Sequence, residues 1–216
     1  MPTRTIAAAR RPLEIVAVSV VVLTCVAAAG AQPFRLTQND FPHTRFPDAR
    51  SGEPYLVVYD DGVVLASAAY RYSQRHHDSP WLVVSLDLAA TETLSIRRED
   101  IALVRPDGLA ARPATESERR RDLEGVRRLV DERAAWPDTL SFAFPRSRID
   151  RGFRRFDFGV EESDRTPDRV LRVDARGGVR GDVFFVSPDG RWPSGVHALV
   201  VTVDADRIVR LPVLLR

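Results

Sequence analysis

Apolar and polar side chains alternate with a period of two along much of this chain. The clearest stretch is residues 81–88, where Leu82, Val84, Leu86 and Leu88 alternate with Trp81, Val83, Ser85 and Asp87. Such a period places one set of side chains on each face of a strand. A polar break at residues 91–93 is followed by a second apolar segment, residues 101–104, that ends in Pro106-Asp107-Gly108. Proline presets φ, aspartate caps its own backbone and glycine accepts a positive φ, so this tripeptide reads as a turn. Strand, turn and strand predict an antiparallel sheet with one wet face.

The same period predicts strands at residues 55–59 and 63–72, joined by Asp60-Asp61-Gly62, a strong hairpin signal. Small residues at 66–69 predict a close approach to a facing sheet. Further strands are expected at 139–144, 153–160, 170–175, 183–187, 196–204 and 208–215. Between them the period changes once. Leu123, Val126, Val130 and Ala134 recur at helical spacing, with Leu129 widening the stripe. Thr115 and Glu118 have capping-box spacing, and Pro137 marks the end, so one helix is expected over residues 115–135. About ten short strands, one helix and no βαβ rhythm predict a mainly β fold: an antiparallel β-sandwich with one inserted helix.

The N-terminus follows another pattern. Arg4, Arg10 and Arg11 precede an apolar run from Ile15 to Ala29, and Ala29-Gly30-Ala31 offers small residues for cleavage. Residues 1–31 are expected to be a signal peptide. The alternatives are an uncleaved anchor, twin-arginine export through Arg10-Arg11, and lipidation at Cys25. Pro12 and Glu14 disfavour the second, and Thr24 disfavours the third. Residues 32–52, with Phe34, Phe41 and Phe46 among prolines, form an extended segment partly laid against the body. Residues 53–216 are then a single β-sandwich domain. The expected location is periplasmic or secreted.

Cleavage changes the charge. The chain carries 32 basic and 30 acidic residues; without residues 1–31 it has 29 of each, so no nucleic-acid partner is implied. All basic residues are arginine and Asn39 is the only asparagine, a coding bias rather than a binding signature. Cys25 is the only cysteine, which leaves the mature chain without disulfides or thiolate metal sites.

Two stretches resemble bacterial exported immunoglobulin-like domains. The first is the alternating strand that leads to Pro106-Asp107-Gly108. The second is Gly190-Arg191-Trp192-Pro193-Ser194-Gly195-Val196-His197-Ala198-Leu199. There His197 stands where those domains carry a tyrosine that makes a corner hydrogen bond. The resemblance implies an immunoglobulin-like sandwich in an extracytoplasmic setting and no particular activity.

Candidate chemistry is sparse. No nucleophile elbow, phosphate-cradling loop, His-Glu-x-x-His or cysteine nucleophile is present, so no enzyme, catalytic residue or cofactor is expected. His76, His77 and Asp78, with His43 or His197, have metal-ligand chemistry but no repeated ligand spacing, and read as a polar loop. Asp60-Asp61-Gly62 lacks the further carboxylates of a calcium loop. Arg180-Gly181-Asp182 reads as a turn before the strand at Val183. Trp81, Trp136 and Trp192 offer sugar-stacking platforms or core filling. The best local binding candidate is an arginine-rich hairpin: Arg146, Arg148, Arg151, Arg154 and Arg155 with Phe153 and Phe156 interleaved, suited to an anionic surface. Its counter-reading is a solvated face neutralised by Asp157, Glu161, Glu162 and Asp164. The Arg119–Arg121 run is weaker, because residues 116–133 hold six acidic and six basic side chains. The leading expectation is therefore a non-catalytic domain that contacts an envelope protein. The alternative is a module for an anionic envelope glycan or lipid. Membrane contact is expected only through an uncleaved signal or an anionic surface.

Overall fold

Sustained alternation becomes strand. In a computed structural model that describes residues 41–47, 54–136, 152–160 and 166–216, the chain begins with β1 (Thr44–Arg45), β2 (Leu56–Asp60), β3 (Val64–Ala69), β4 (Trp81–Ala90), β5 (Leu94–Arg97), β6 (Ile101–Val104) and β7 (Ala110–Ala111). Helices α1 (Glu116–Arg121) and α2 (Leu123–Ala134) come next. They are followed by β8 (Phe153–Arg155), β9 (Val170–Val173), β10 (Gly178–Val186), β11 (Gly195–Thr202) and β12 (Ile208–Leu215). Strands make up 45% of the residues and helices 14%, so the fold is mainly β. The expected signal, the expected strand at 139–144 and Arg146, Arg148 and Arg151 lie outside the described residues.

Six strands pair in the order β1-β2-β3-β4-β10-β8, four as β12-β11-β6-β7 and two as β5-β9. The pairings are antiparallel except β8 with β10, which is parallel. The Asp60–Gly62 turn joins β2 to β3 as expected: Gly62 N donates to Asp60 Oδ1 (3.0 Å) and Val64 N to Asp61 Oδ1 (2.7 Å). One core unites the sheets. Leu82, Val84, Leu86 and Leu88 of β4 meet Phe185 of β10, Leu199 of β11 and Leu211 of β12. β12 packs across β2 and β3, where Ala66 and Ala68 face the core. Phe41 is buried and Phe46 packs against the core, so part of the N-terminal segment does lie on the body.

Four expectations change. The sheet does not have one wet face: all ten residues of β4 are buried. Its outward positions, Trp81, Val83, Ser85, Asp87 and Ala89, run apolar, polar, apolar. Trp81 and Val83 pack with Val126 and Leu129 of α2 and with Val160, while Ala89 packs with Leu56, Val58 and Leu65.

The single helix is two. Thr115 and Glu118 form the expected capping box, with Glu118 N donating to Thr115 Oγ1 (3.2 Å) and Thr115 N to Glu118 Oε2 (2.7 Å). The helix then breaks at Asp122, whose φ of −136° and ψ of 59° are not helical. The break has a cause. Asp122 Oδ1 accepts from Gly125 N (3.0 Å) and caps α2, while Oδ2 accepts from Trp81 Nε1 (2.7 Å) and pins the helix to the sheet. A Cβ at Gly125 would lie 2.3 Å from Asp122 Oδ2, so only glycine admits this cap.

The strand expected over 153–160 stops at Arg155. Beyond it, backbone donors turn to carboxylates: Gly159 N to Asp157 Oδ1 (2.7 Å) and Asp157 N to Asp168 Oδ2 (3.1 Å). Aspartate that satisfies local backbone in this way competes with a sheet ladder. Finally, Arg180-Gly181-Asp182 is no turn. It lies inside β10, whose ladder with β4 runs from Val179 to Val186.

Candidate ligand groove

The outer face of the six-stranded sheet carries a polar row between its two apolar clusters. Register sets Ser67 beside Asp87, Asp87 beside Arg180, and Ser85 beside Asp182. Asp87 is fully buried, and Arg180 grips it bidentately, Nε to Oδ1 at 2.9 Å and Nη2 to Oδ2 at 2.6 Å. Burial raises the Asp87 carboxyl above its ordinary value, and Arg180 pulls it back. The row reaches up to α2: Arg133 Nη2 donates to Asp182 Oδ1 (2.7 Å) and Ser85 Oγ (2.5 Å). Tyr72 Oη donates to Glu132 Oε2 (2.5 Å) one position away on the same helix. With only Val126 and Leu129 buried, α2 is held largely by these polar clasps and by Asp122.

Held there, α2 forms one wall of a groove of about 860 Å³. The opposite wall is β8 and the segment after it. Its floor is apolar: Val126, Phe156 and Val160 are 3%, 1% and 2% exposed. Its rim carries Arg119 and Arg127 from the helical side and Arg154 and Arg155 from the strand. Three carboxylates also line it. Asp157 accepts from Gly159 N, Asp168 accepts from Asp157 N and pairs with Arg154 Nη1 (2.9 Å), and Asp131 lies on α2. Arg119 Nε is buried with no hydrogen-bond partner.

Of the arginine-rich candidate, Arg154 and Arg155 thus line the groove. Phe153 does not. It packs with the cluster around Leu56 and Val58, under the Arg180 guanidinium at 4.6 Å from the ring centroid. The described part of the expected hairpin, β8, is an edge strand parallel to β10. Sequence reasoning ranked Arg119 below the hairpin and left Arg127 out as a binding residue, because charges cancel along that stretch. Their separation of eight residues, with Leu123 and Val126 between, was the available signal for a shared helical side. Arg120 of the same run points elsewhere, to Glu116 Oε1 at 2.6 Å.

The histidines go to different places. His77 sits between two carbonyl oxygens, Nδ1 2.9 Å from Trp192 O and Nε2 2.8 Å from Arg216 O. His76 stacks on Tyr72 and meets Trp136 edge-on. His197 is buried in the core region, 6.0 Å from Trp192 in a T-shaped pair. Its Nδ1 lies 3.4 Å from Gly195 O, and its Nε2 is unpartnered. Burial pushes the His197 imidazole down to about 4. Among the described residues no three His, Cys, Asp or Glu side chains gather as metal ligands. Trp81 and Trp192, each 2% exposed, fill space rather than offer sugar platforms.

The two Pro-Asp-Gly turns meet at one buried guanidinium. Arg105 Nη2 donates to Asp107 Oδ2 at 2.7 Å and Nη1 to Asp189. Asp189 holds the Arg105 guanidinium above its ordinary value despite its burial. This cluster ties β6 to the loop after β10.

Among the described residues no helix is long and apolar enough to cross a membrane. Comparison with protein-family models, curated proteins and solved structures finds no significant match.

Proposed function

We propose that this protein is an exported, non-catalytic β-sandwich that binds an anionic ligand of the cell envelope in the groove between α2 and β8. One observation carries the reading: arginines from both walls, Arg119 and Arg127 on one side and Arg154 and Arg155 on the other, line one groove of ligand size. Export rests on residues 1–31. An immunoglobulin-like lineage is part of the proposal. Its support is the packing of two largely antiparallel sheets and the place of His197 beside Gly195 in β11. Contact with an envelope protein is the other function consistent with the sequence. The groove favours a ligand, because the exposed large apolar side chains among the described residues are scattered: Leu109 in the β6–β7 turn, Val130 on α2, Val170 on β9 and Ile208 on β12.

The test is binding of polyanionic envelope glycans and anionic lipid vesicles at low and physiological salt. Affinity is expected to fall with added salt and by at least about tenfold in an Arg127→Gln/Arg155→Gln variant. Absence of binding to any envelope polyanion at low ionic strength rules the reading out.

A further inference from the structure

Resting on the groove being an anion site, we infer that its ligand is a linear acidic polysaccharide that runs out of the groove, past residues 166–168, onto the outward face of β5 and β9. These two strands pair antiparallel with Leu94, Ile96, Leu171 and Val173 in the core. Alternation therefore turns Ser95, Arg97, Val170 and Arg172 out to solvent. Register sets Arg97 opposite Val170 and Arg172 opposite Ser95, which makes the two arginines diagonal neighbours. Arg169, one residue before β9, is exposed beside them. None of these three arginines forms an ion pair among the described residues, unlike Arg154 with Asp168 or Arg207 with Glu92. The ladder thus holds like charges side by side, a cost that a bound polyanion relieves.

A hollow of about 450 Å³ joins this face to the groove. Arg97, Arg98, Arg169 and Val170 line it, and Asp168 lines both it and the groove. Of its carboxylates, Asp168 pairs with Arg154 and Glu116 with Arg120, which leaves Glu99 against Arg97, Arg98 and Arg169. The same face selects among anionic partners. An acidic protein docks on an apolar centre, and Val170 is the one large apolar side chain exposed here among the described residues. A small anion in the groove does not reach Arg97 or Arg172. A sugar chain with a carboxylate on each unit meets both the groove and the row beyond it, with the Ser95 hydroxyl to hydrogen-bond its neutral groups.

Calorimetric titration of the purified protein with galacturonic acid disaccharide, hexasaccharide and long polymer, compared at equal concentration of sugar units, tests this. Anionic phospholipid vesicles serve as the comparison probe. Affinity is expected to rise by at least about tenfold from disaccharide to polymer, because the second face is engaged by a chain already tethered in the groove. Arg97→Gln/Arg172→Gln, at exposed positions where folding is not at stake, brings the polymer down to the level of the disaccharide. It also lowers the slope of log affinity against log salt for the polymer by roughly two, one for each lost contact. Arg45→Gln/Arg210→Gln removes the same charge from β1 and β12, edge strands of the two larger sheets, and leaves polymer affinity unchanged. An equal loss in that control would mark general attraction to a basic chain and overturn the face. Equal affinity for disaccharide and polymer, lost in Arg127→Gln/Arg155→Gln, overturns the polymer and leaves the groove as a site for a small anion. Vesicle binding through Arg127 and Arg155 with no polysaccharide bound does the same. Polymer binding lost in Arg97→Gln/Arg172→Gln but normal in Arg127→Gln/Arg155→Gln overturns the run out of the groove. Binding of no anionic probe at low ionic strength overturns both readings.

Discussion

His197 and Asp87 show what burial does to single ionisable groups in this fold. His197 is neutral in the folded protein down to about pH 4, whereas in the unfolded chain it takes a proton near 6.5. Between those values the unfolded state binds the extra proton, so stability is lost as pH falls from about 6.5 towards 4. The size of the effect is on the order of 3 kcal/mol. In His197→Phe, urea midpoints measured between pH 7 and pH 4.5 are expected to flatten; an unchanged acid slope would assign it to the carboxylates instead. Asp87 and Arg180 make the opposite case, a buried carboxylate held by a guanidinium that is 37% exposed. Arg180→Met leaves a buried carboxylate without its partner and is expected to cost about 3–5 kcal/mol in chemical denaturation. Arg180→Met combined with Asp87→Leu should recover most of that loss, because the desolvation cost then disappears with the charge. A double variant as unstable as the single one would mean that the pair itself stabilises the sheet.

At the scale of elements, the groove depends on how closely β8 and the following residue approach β10. Phe156 N donates to Arg180 O at 2.8 Å, and a Cβ on Gly181 would stand 2.5 Å from Phe156 O. Gly181→Ala must therefore push Phe156 and the strand wall outward, at about 1–3 kcal/mol. Ligand affinity should fall with it while β4 stays in place. Tryptophan fluorescence and binding measured together check this; normal affinity in a destabilised variant would detach the groove from that contact. Local pattern carried much of what lies inside the sheet. Alternation located β2, β4, β6, β11 and β12, and the capping box located α1. It missed what depends on distant partners. Trp81 and Val83 were the visible clue that the outward face of β4 is also covered, yet nothing local says that α2 covers it. Arg154 and Arg155 stood out by composition, but their facing wall is some thirty residues earlier in the chain and its arginines are hidden among acids. β5 was lost because its four residues follow a polar break and pair only with β9.

For the molecule as a whole, the two attachments are of different kinds and should open separately. The sandwich shares one apolar core drawn from both larger sheets, with β4 buried on both faces at its centre. The layer outside it, α1 and α2, has two buried apolar side chains in α2 and none in α1, and is held by Trp81–Asp122, Tyr72–Glu132 and Arg133–Asp182. Two apolar side chains contribute about 1.5–3 kcal/mol each, and each polar clasp adds only about a kilocalorie or two, more for the charged one. The helical layer is therefore expected to open at a lower free energy than the sandwich. In native-state hydrogen exchange, the amides of β4 and β10 should exchange only with global unfolding. Those of α2 should exchange earlier and as a group. Glu132→Gln with Arg133→Gln should widen the gap by speeding α2 exchange several-fold at least, with the β4 amides much less affected. A saturating anionic ligand should narrow it, because the groove exists only while α2 is docked and a ligand bound there stabilises the docked state by mass action. Exchange of α2 at the same rate as β4, with and without ligand, would show a single cooperative unit and remove the helix as a separately opening wall.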